Sequence, residues 1–191
     1  MKRMTLAFGL LAGGLSTSAG AVTINFDSIP AGPALSNEFV GVGVVFTGIF
    51  AVTNSTFGGA VTIPSPPNFI QLGGTSTIDF VDPAHPNAPA TTDFISVVNP
   101  ALSGGCFNAI RIDAFDVSGV LLNTVTIPAV ASSSQQSTTS LSAVDIASVD
   151  MTNLGGDCIT AFDDLTFDAV VPVGIFSDSF ESPVATAATS D

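Results

Sequence analysis

The chain has 191 residues, a formal net charge of −13 and a pI near 4.1, with 16 acidic residues, three basic ones, one histidine and neither Trp nor Tyr. That acidity excludes nucleic acid and anionic membranes as electrostatic partners, because both repel a negative surface. It favours attraction for cations, while a hydrophobic content of 46% excludes a disordered acidic polymer.

Residues 1–21 read as a secretory signal peptide. Lys2 and Arg3 form the charged start, Met4 to Leu15 the apolar run, and Ala19-Gly20-Ala21 the small residues of a cleavage site. Cleavage after Ala21 makes Val22 the first mature residue. The apolar run is shorter than the ~20 residues a bilayer requires, so no membrane span is expected after signal removal. Loss of the signal removes two of the three basic residues and leaves Arg111 alone. Residues 22–169 are expected to form one domain, and residues 170–191 a flexible tail.

Short segments of period-2 alternation follow, separated by Gly, Pro, Asn and Ser. Val22 to Asp27 reads as a first strand. Val42 to Thr47 reads as a second, continuing towards Val52 past a kink at Gly48. Phe69 to Leu72 and Thr77 to Val81 read as two strands split by Gly73-Gly74. Asp93 to Asn99 is next. Ala109 to Val117 and Val120 to Ile127 form a hairpin across Ser118-Gly119. Thr138 to Leu141, Ala147 to Thr152 and Ile159 to Phe167 complete the set. Pro64 to Pro67 and Pro83 to Pro89 read as loops, since proline is kept out of central strands. Ser132 to Thr139 reads as a polar loop of low complexity. No segment has a capped 3.6-residue period. The expected fold is all-β: a single jelly-roll-like, galactose-binding-like antiparallel sandwich of about ten short strands.

Cys106 and Cys158 are the only cysteines. An even count in an exported chain predicts a disulfide, here closing a loop of about 50 residues and stabilising by roughly 4 kcal/mol in the chain-entropy model. Both cysteines come after a glycine pair, Gly104-Gly105 directly before Cys106 and Gly155-Gly156 before Cys158 with Asp157 between, so matching loop-to-strand entries can bring them together.

The opening and closing strands carry similar acidic text, Asn25-Phe26-Asp27 and Phe162-Asp163-Asp164-Leu165. Hard cations such as Ca²⁺ take several carboxylate and carbonyl oxygens. Asp27, Asp163 and Asp164 supply these if the two strands are neighbours, with Glu38 and the Ser28 to Gly32 carbonyls in reach. The competing reading makes them ordinary surface carboxylates.

Catalytic signals are poor. His85 stands in a Pro-rich loop without a nucleophile motif, and clustered His or Cys ligands for a transition metal are missing. A carboxylate pair suits glycoside hydrolysis, but Trp and Tyr, the usual sugar platforms, are absent. Arg111 alternates with Ile110 and Ile112 and is expected to form an exposed cross-strand ion pair with Asp113 or another acid. Asn54-Ser55-Thr56 fits a glycosylation sequon.

The segments Ile24 to Gly32, Asn37-Glu38-Phe39, Gly43 to Phe46, Asp113 to Leu122 and Phe162 to Phe167 together resemble the extracellular domains of PEP-CTERM-type surface proteins of bacteria. The likeness covers most of Val22 to Asp168, without the C-terminal sorting anchor of that group. It implies a secreted matrix or surface role and no particular mechanism. Jelly-roll carbohydrate-binding modules are similar in outline and often hold a structural Ca²⁺. The expected function is therefore that of a secreted, non-enzymatic structural or adhesive protein of the matrix or cell surface. Its expected partners are extracellular polysaccharide or a surface protein. The alternatives are a carbohydrate-binding module that works without Trp or Tyr, and an Asp-based hydrolase.

Overall fold

The computed structural model describes residues 20–53, 60–131 and 133–174. Residues 1–19 of the expected signal peptide (residues 1–21), the Asn54-Ser55-Thr56 sequence and the part of the expected tail beyond residue 174 lie outside the described residues. The strands are β1 (Ala21–Ile24), β2 (Val44–Thr53), β3 (Val61–Thr62), β4 (Asn68–Asp82), β5 (His85–Asn99), β6 (Ala101–Leu102), β7 (Ile110–Phe115), β8 (Leu121–Ile127), β9 (Ser137–Ile146), β10 (Ser148–Asn153), β11 (Ala161–Asp168) and β12 (Val171–Pro172). The strands pair antiparallel throughout.

They form the two layers of a jelly-roll-like sandwich, as the alternation predicts. A front layer runs β2-β4-β10-β7-β8 and a back layer β1-β11-β5-β9. The β4–β5 hairpin and the pairing of Phe162 with Ile70 join the layers into one curled 10-stranded sheet.

Period-2 alternation sends one face of each strand inward. In β4, Ile78 and Phe80 are buried while Thr77 and Asp79 face out; in β7, Ile110 and Ile112 are buried and Arg111 is exposed. The inner faces of both layers meet in one apolar cluster that includes Phe46, Phe80, Val149, Ile95, Leu165 and Phe167. At its edge Phe26 is fully buried, with ring centroids 5.7 Å from Phe39, 5.9 Å from Phe46 and 6.1 Å from Phe162. A smaller cluster of Val61, Ile63, Phe69, Leu102, Phe107 and Ala161 closes the end that carries the cysteines.

Three expectations are corrected. Gly73-Gly74 does not end a strand: β4 runs through it, pairing with Ile49–Thr53 of β2 before the glycines and with Val44–Thr47 after them. The bend is shared with Gly48, whose φ of 72° is costly for a side-chain-bearing residue and whose carbonyl accepts the Ser76 hydroxyl at 2.6 Å. The Pro83–Pro89 segment is not a plain loop. From His85 it is the first part of β5, in the hairpin arm with β4, where only Val81–Pro89 and Asp82–His85 pair and proline breaks no central ladder. The chain after Asp168 stays within the fold through residue 173. Val170 packs on the core, β12 pairs with Thr91 and Ala90, and the Val173 amide donates to the Pro89 carbonyl at 3.0 Å.

Candidate functional site: a strand-end carboxylate pair and an outer-face groove

Cys106 and Cys158 form a disulfide with Cα atoms 5.2 Å apart. The residues after them hold the same approach. Phe107 bridges Ile159, the Asn108 amide donates to the Ile159 carbonyl at 2.8 Å, and the Asn108 side chain donates to the Cys158 carbonyl at 2.7 Å.

Asp163 and Asp164 lie where β11 shifts register against β5, and Asp164 has a φ of 44°. The Pro64–Pro67 loop folds over them. Ser65 donates its amide to Asp163 Oδ2 at 3.1 Å. Its hydroxyl lies 3.1 Å from Asp163 Oδ2, 2.8 Å from Asp164 Oδ1 and 3.3 Å from the Asn25 carbonyl. One hydroxyl proton serves one of these acceptors at a time. Burial pushes Asp163 up to about 6, and the Asp164 charge adds to the rise against the opposing bonds from Ser65 and the Asp164 amide.

The other two expected ligands are placed differently. Asp27 Oδ1 is 3.5 Å from the Asn68 amide. Glu38 Oε2 accepts the Ser36 amide at 2.6 Å and closes its own turn. Among the described residues no three His, Cys, Asp or Glu side chains gather as a metal-ligating group. The donor set around Ser65 is thus two carboxylates, a hydroxyl and the Asn25 carbonyl, fewer than the six to eight oxygens that Ca²⁺ takes.

His85 is exposed, with Nδ1 2.8 Å from Asp82 Oδ2; that bond, with the Ala84 amide, holds Asp82 below the usual carboxylate range. Arg111 pairs with Asp113 at 2.7 Å, along one strand rather than across strands. The ladder offers Thr152 and Thr126 as its cross-strand neighbours instead of acids.

The outer face of the front layer is a lattice of short polar side chains. Thr47, Thr77, Asp150, Asp113 and Thr124 are aligned across five strands. Thr77 donates to Asp150 at 2.7 Å and Thr124 to Asp113 at 2.7 Å. One residue along from Thr77 and Asp150 on this face come Asp79 and its register partner Ser148, and there the face opens into a groove of about 530 Å³. The hairpin arm Pro86–Pro89 and the turn Asp116–Gly119 flank it, with Asn37 from the loop before β2. Asp79 is raised above its ordinary value by burial first and by the Asp150 charge second. Its carboxylate has no hydrogen-bond partner among the described residues, and the side chains of Asn37, Asn87 and Ser148 have none either. Asp116, by contrast, spends Oδ1 on the Ser118 and Val120 amides of its own turn.

Sequence reasoning does not find this groove. Asn37, Asp79, Asn87 and Ser148 are scattered along the chain and share no motif. The one local signal is Asp79 itself, a charge between Ile78 and Phe80 on an alternating strand.

No family model matches the chain, and no curated protein matches it. Among solved structures it is similar to the K2 cleaved adhesin domain of Lys-gingipain, at 10% identity over 78% of this chain and 99% of that one, with a TM-score of 0.50. It is also similar to the family 32 carbohydrate-binding module of C. perfringens NanJ in complex with galactose (11% identity, 77% of this chain and 92% of that one, TM-score 0.36). A third is TmCBM61 in complex with β-1,4-galactotriose (9% identity, 78% and 98%, TM-score 0.31). Identities this low bear on the fold alone.

Proposed function

We propose that the chain is an exported, non-catalytic adhesive module of the extracellular matrix or cell surface, and that it docks extracellular polysaccharide in the groove beside Asp79. The observation that carries this reading is the set of four polar side chains, Asn37, Asp79, Asn87 and Ser148, that line one groove without partners among the described residues. Partnerless polar groups in a concave site are the usual means of fixing a ligand's orientation. Pro86, Pro89 and Val117 supply apolar surface beside them, in place of the missing Trp and Tyr. The Cys106–Cys158 bond suits an oxidising destination. The test is an array of immobilised extracellular polysaccharides probed with wild type and Asp79→Ala, with released reducing ends measured in parallel. Binding lost in Asp79→Ala without release of sugar supports the reading. Release of reducing ends makes the chain a hydrolase, and no binding to any polysaccharide overturns the docking role.

A structural Ca²⁺ is the second proposal, favoured by two adjacent carboxylates of which Asp163 is fully buried and held above its ordinary range. Asp163 and Asp164 would hold it with the Asn25 carbonyl. The Asn68 amide takes Asp27 Oδ1 and the Ser36 amide takes Glu38 Oε2, so each of these carboxylates would have its second oxygen to offer.

A further inference from the structure

We infer that the groove beside Asp79 selects a protonated amino sugar over neutral and acidic sugars; the inference rests on the glycan-docking reading above and names its ligand class. The charges around the groove are of one sign. Asp79 and Asp116 line it, and Asp150 lies close enough to raise Asp79. Among the described residues no basic residue lines it, and Arg111, the sequence's only Lys or Arg beyond position 3, is held by Asp113 at 2.7 Å.

An acidic sugar entering here meets repulsion and finds no cation. A neutral sugar reaches the amides of Asn37 and Asn87 and the Ser148 hydroxyl, yet deepens the desolvation that already burdens Asp79. An ammonium group donates a charge-assisted bond to the Asp79 carboxylate and offsets both its burial and the field of Asp150. The remaining polar groups suit a ring bearing hydroxyls, which a bare alkylamine lacks. A glycan chain of amino sugars is thus favoured over a lysine-rich peptide.

The test is isothermal titration of the full mature chain at about pH 6, where alkylamines are protonated, in physiological salt. The probes are a glucosamine tetramer, its N-acetylated form, a galactose tetramer, a galacturonate tetramer and tetralysine. The glucosamine tetramer should bind about tenfold tighter than its N-acetylated form, equivalent to ~1.4 kcal/mol, and the galacturonate tetramer should not bind. Asp79→Asn should erase that preference, bringing the affinity for the glucosamine tetramer down to that for its N-acetylated form. Asp157→Asn, an equal loss of charge at the disulfide end, should leave the preference intact and so exclude general attraction to an acidic protein. The Asp79 side chain makes no hydrogen bond within the described residues, so the asparagine variant removes no side-chain bond that holds the fold.

Equal affinity for both tetramers, or tighter binding of galactose, overturns the inference and leaves the docking reading standing. Tetralysine bound as tightly as the glucosamine tetramer, with the same loss in Asp79→Asn, overturns it in favour of a peptide ligand. If no saccharide binds, both readings fall.

Discussion

Asp79 and Asp150 stand on adjacent strands of the front layer, and their carboxylates differ in one respect: that of Asp150 accepts the Thr77 hydroxyl at 2.7 Å, and that of Asp79 accepts no hydrogen bond among the described residues. Across the same face Asp113 is committed twice, to Thr124 and to Arg111. The layer therefore satisfies its carboxylates wherever they serve the sheet and leaves one open where the face becomes a groove.

The disulfide is the first test of the frame that holds this groove. Cys158→Ser is expected to lower unfolding stability by a few kcal/mol, within ~2–5, with the denaturant midpoint as the readout. Non-reducing peptide mapping of the native protein should find Cys106 linked to Cys158. Two alkylatable thiols in the native protein would contradict the bond.

Phe26 is the second. Its ring is fully buried among Phe39, Phe46 and Phe162, and it holds a φ of 59°, unusual for a residue with a side chain. Phe26→Ala removes the ring and is expected to cost ~3–5 kcal/mol. Phe26→Leu, which keeps most of the volume, should cost well under half of that. Equal losses in the two variants would mean that the backbone geometry, not the ring packing, is what matters there.

How much of this was legible in advance follows from the range of each signal. Period-2 alternation is local, so the strands around Ile78, Ile112 and Leu165 were readable, and with them the sandwich. The disulfide was readable from the even number of cysteines and the expected export. Gly73-Gly74 misled because glycine punctuates a strand and bends one with equal ease; only the matching bulge at Gly48 decides between them. The acidic text at Asp163-Asp164 marked a real cluster, but its partner, Ser65, sits in a Pro-rich loop almost a hundred residues away. Asn37, Asp79, Asn87 and Ser148 meet only after the hairpin arm and the front layer are folded.

Asp163 gives a pH test with a definite sign. Its folded-state value of about 6 lies above its ordinary 3.8. The folded state therefore binds its proton more tightly than the unfolded chain does. That contribution to stability is full below 3.8 and is lost as pH rises through about 6. In chelator, Tm should rise as pH falls from about 7 to 5, a window above the ordinary carboxylate range. Asp163→Asn should flatten that slope, and His85→Ala, the control for the chain's one histidine, should keep it. An unchanged slope in Asp163→Asn would assign the effect elsewhere.

Calcium is tested at the same pair. Millimolar Ca²⁺ should raise Tm beyond NaCl at matched ionic strength, because an ion bound only by the folded state stabilises by mass action. Mg²⁺ should do less, since it gives up its water reluctantly. Asp164→Asn should remove most of the Ca²⁺ effect. Equal shifts from both salts, with the variant behaving as wild type, would reduce the effect to screening of the chain's net charge.

The central claim is that the groove beside Asp79 is where the protein meets its glycan, and residue-resolved NMR titration with an array-positive oligosaccharide tests it most directly. The account predicts that amide shifts concentrate on Asn37, Val45, Asp79, Asn87 and Ser148, and that they vanish in Asp79→Ala. Shifts confined to the back layer or to the disulfide end, with the groove amides unmoved, would contradict it.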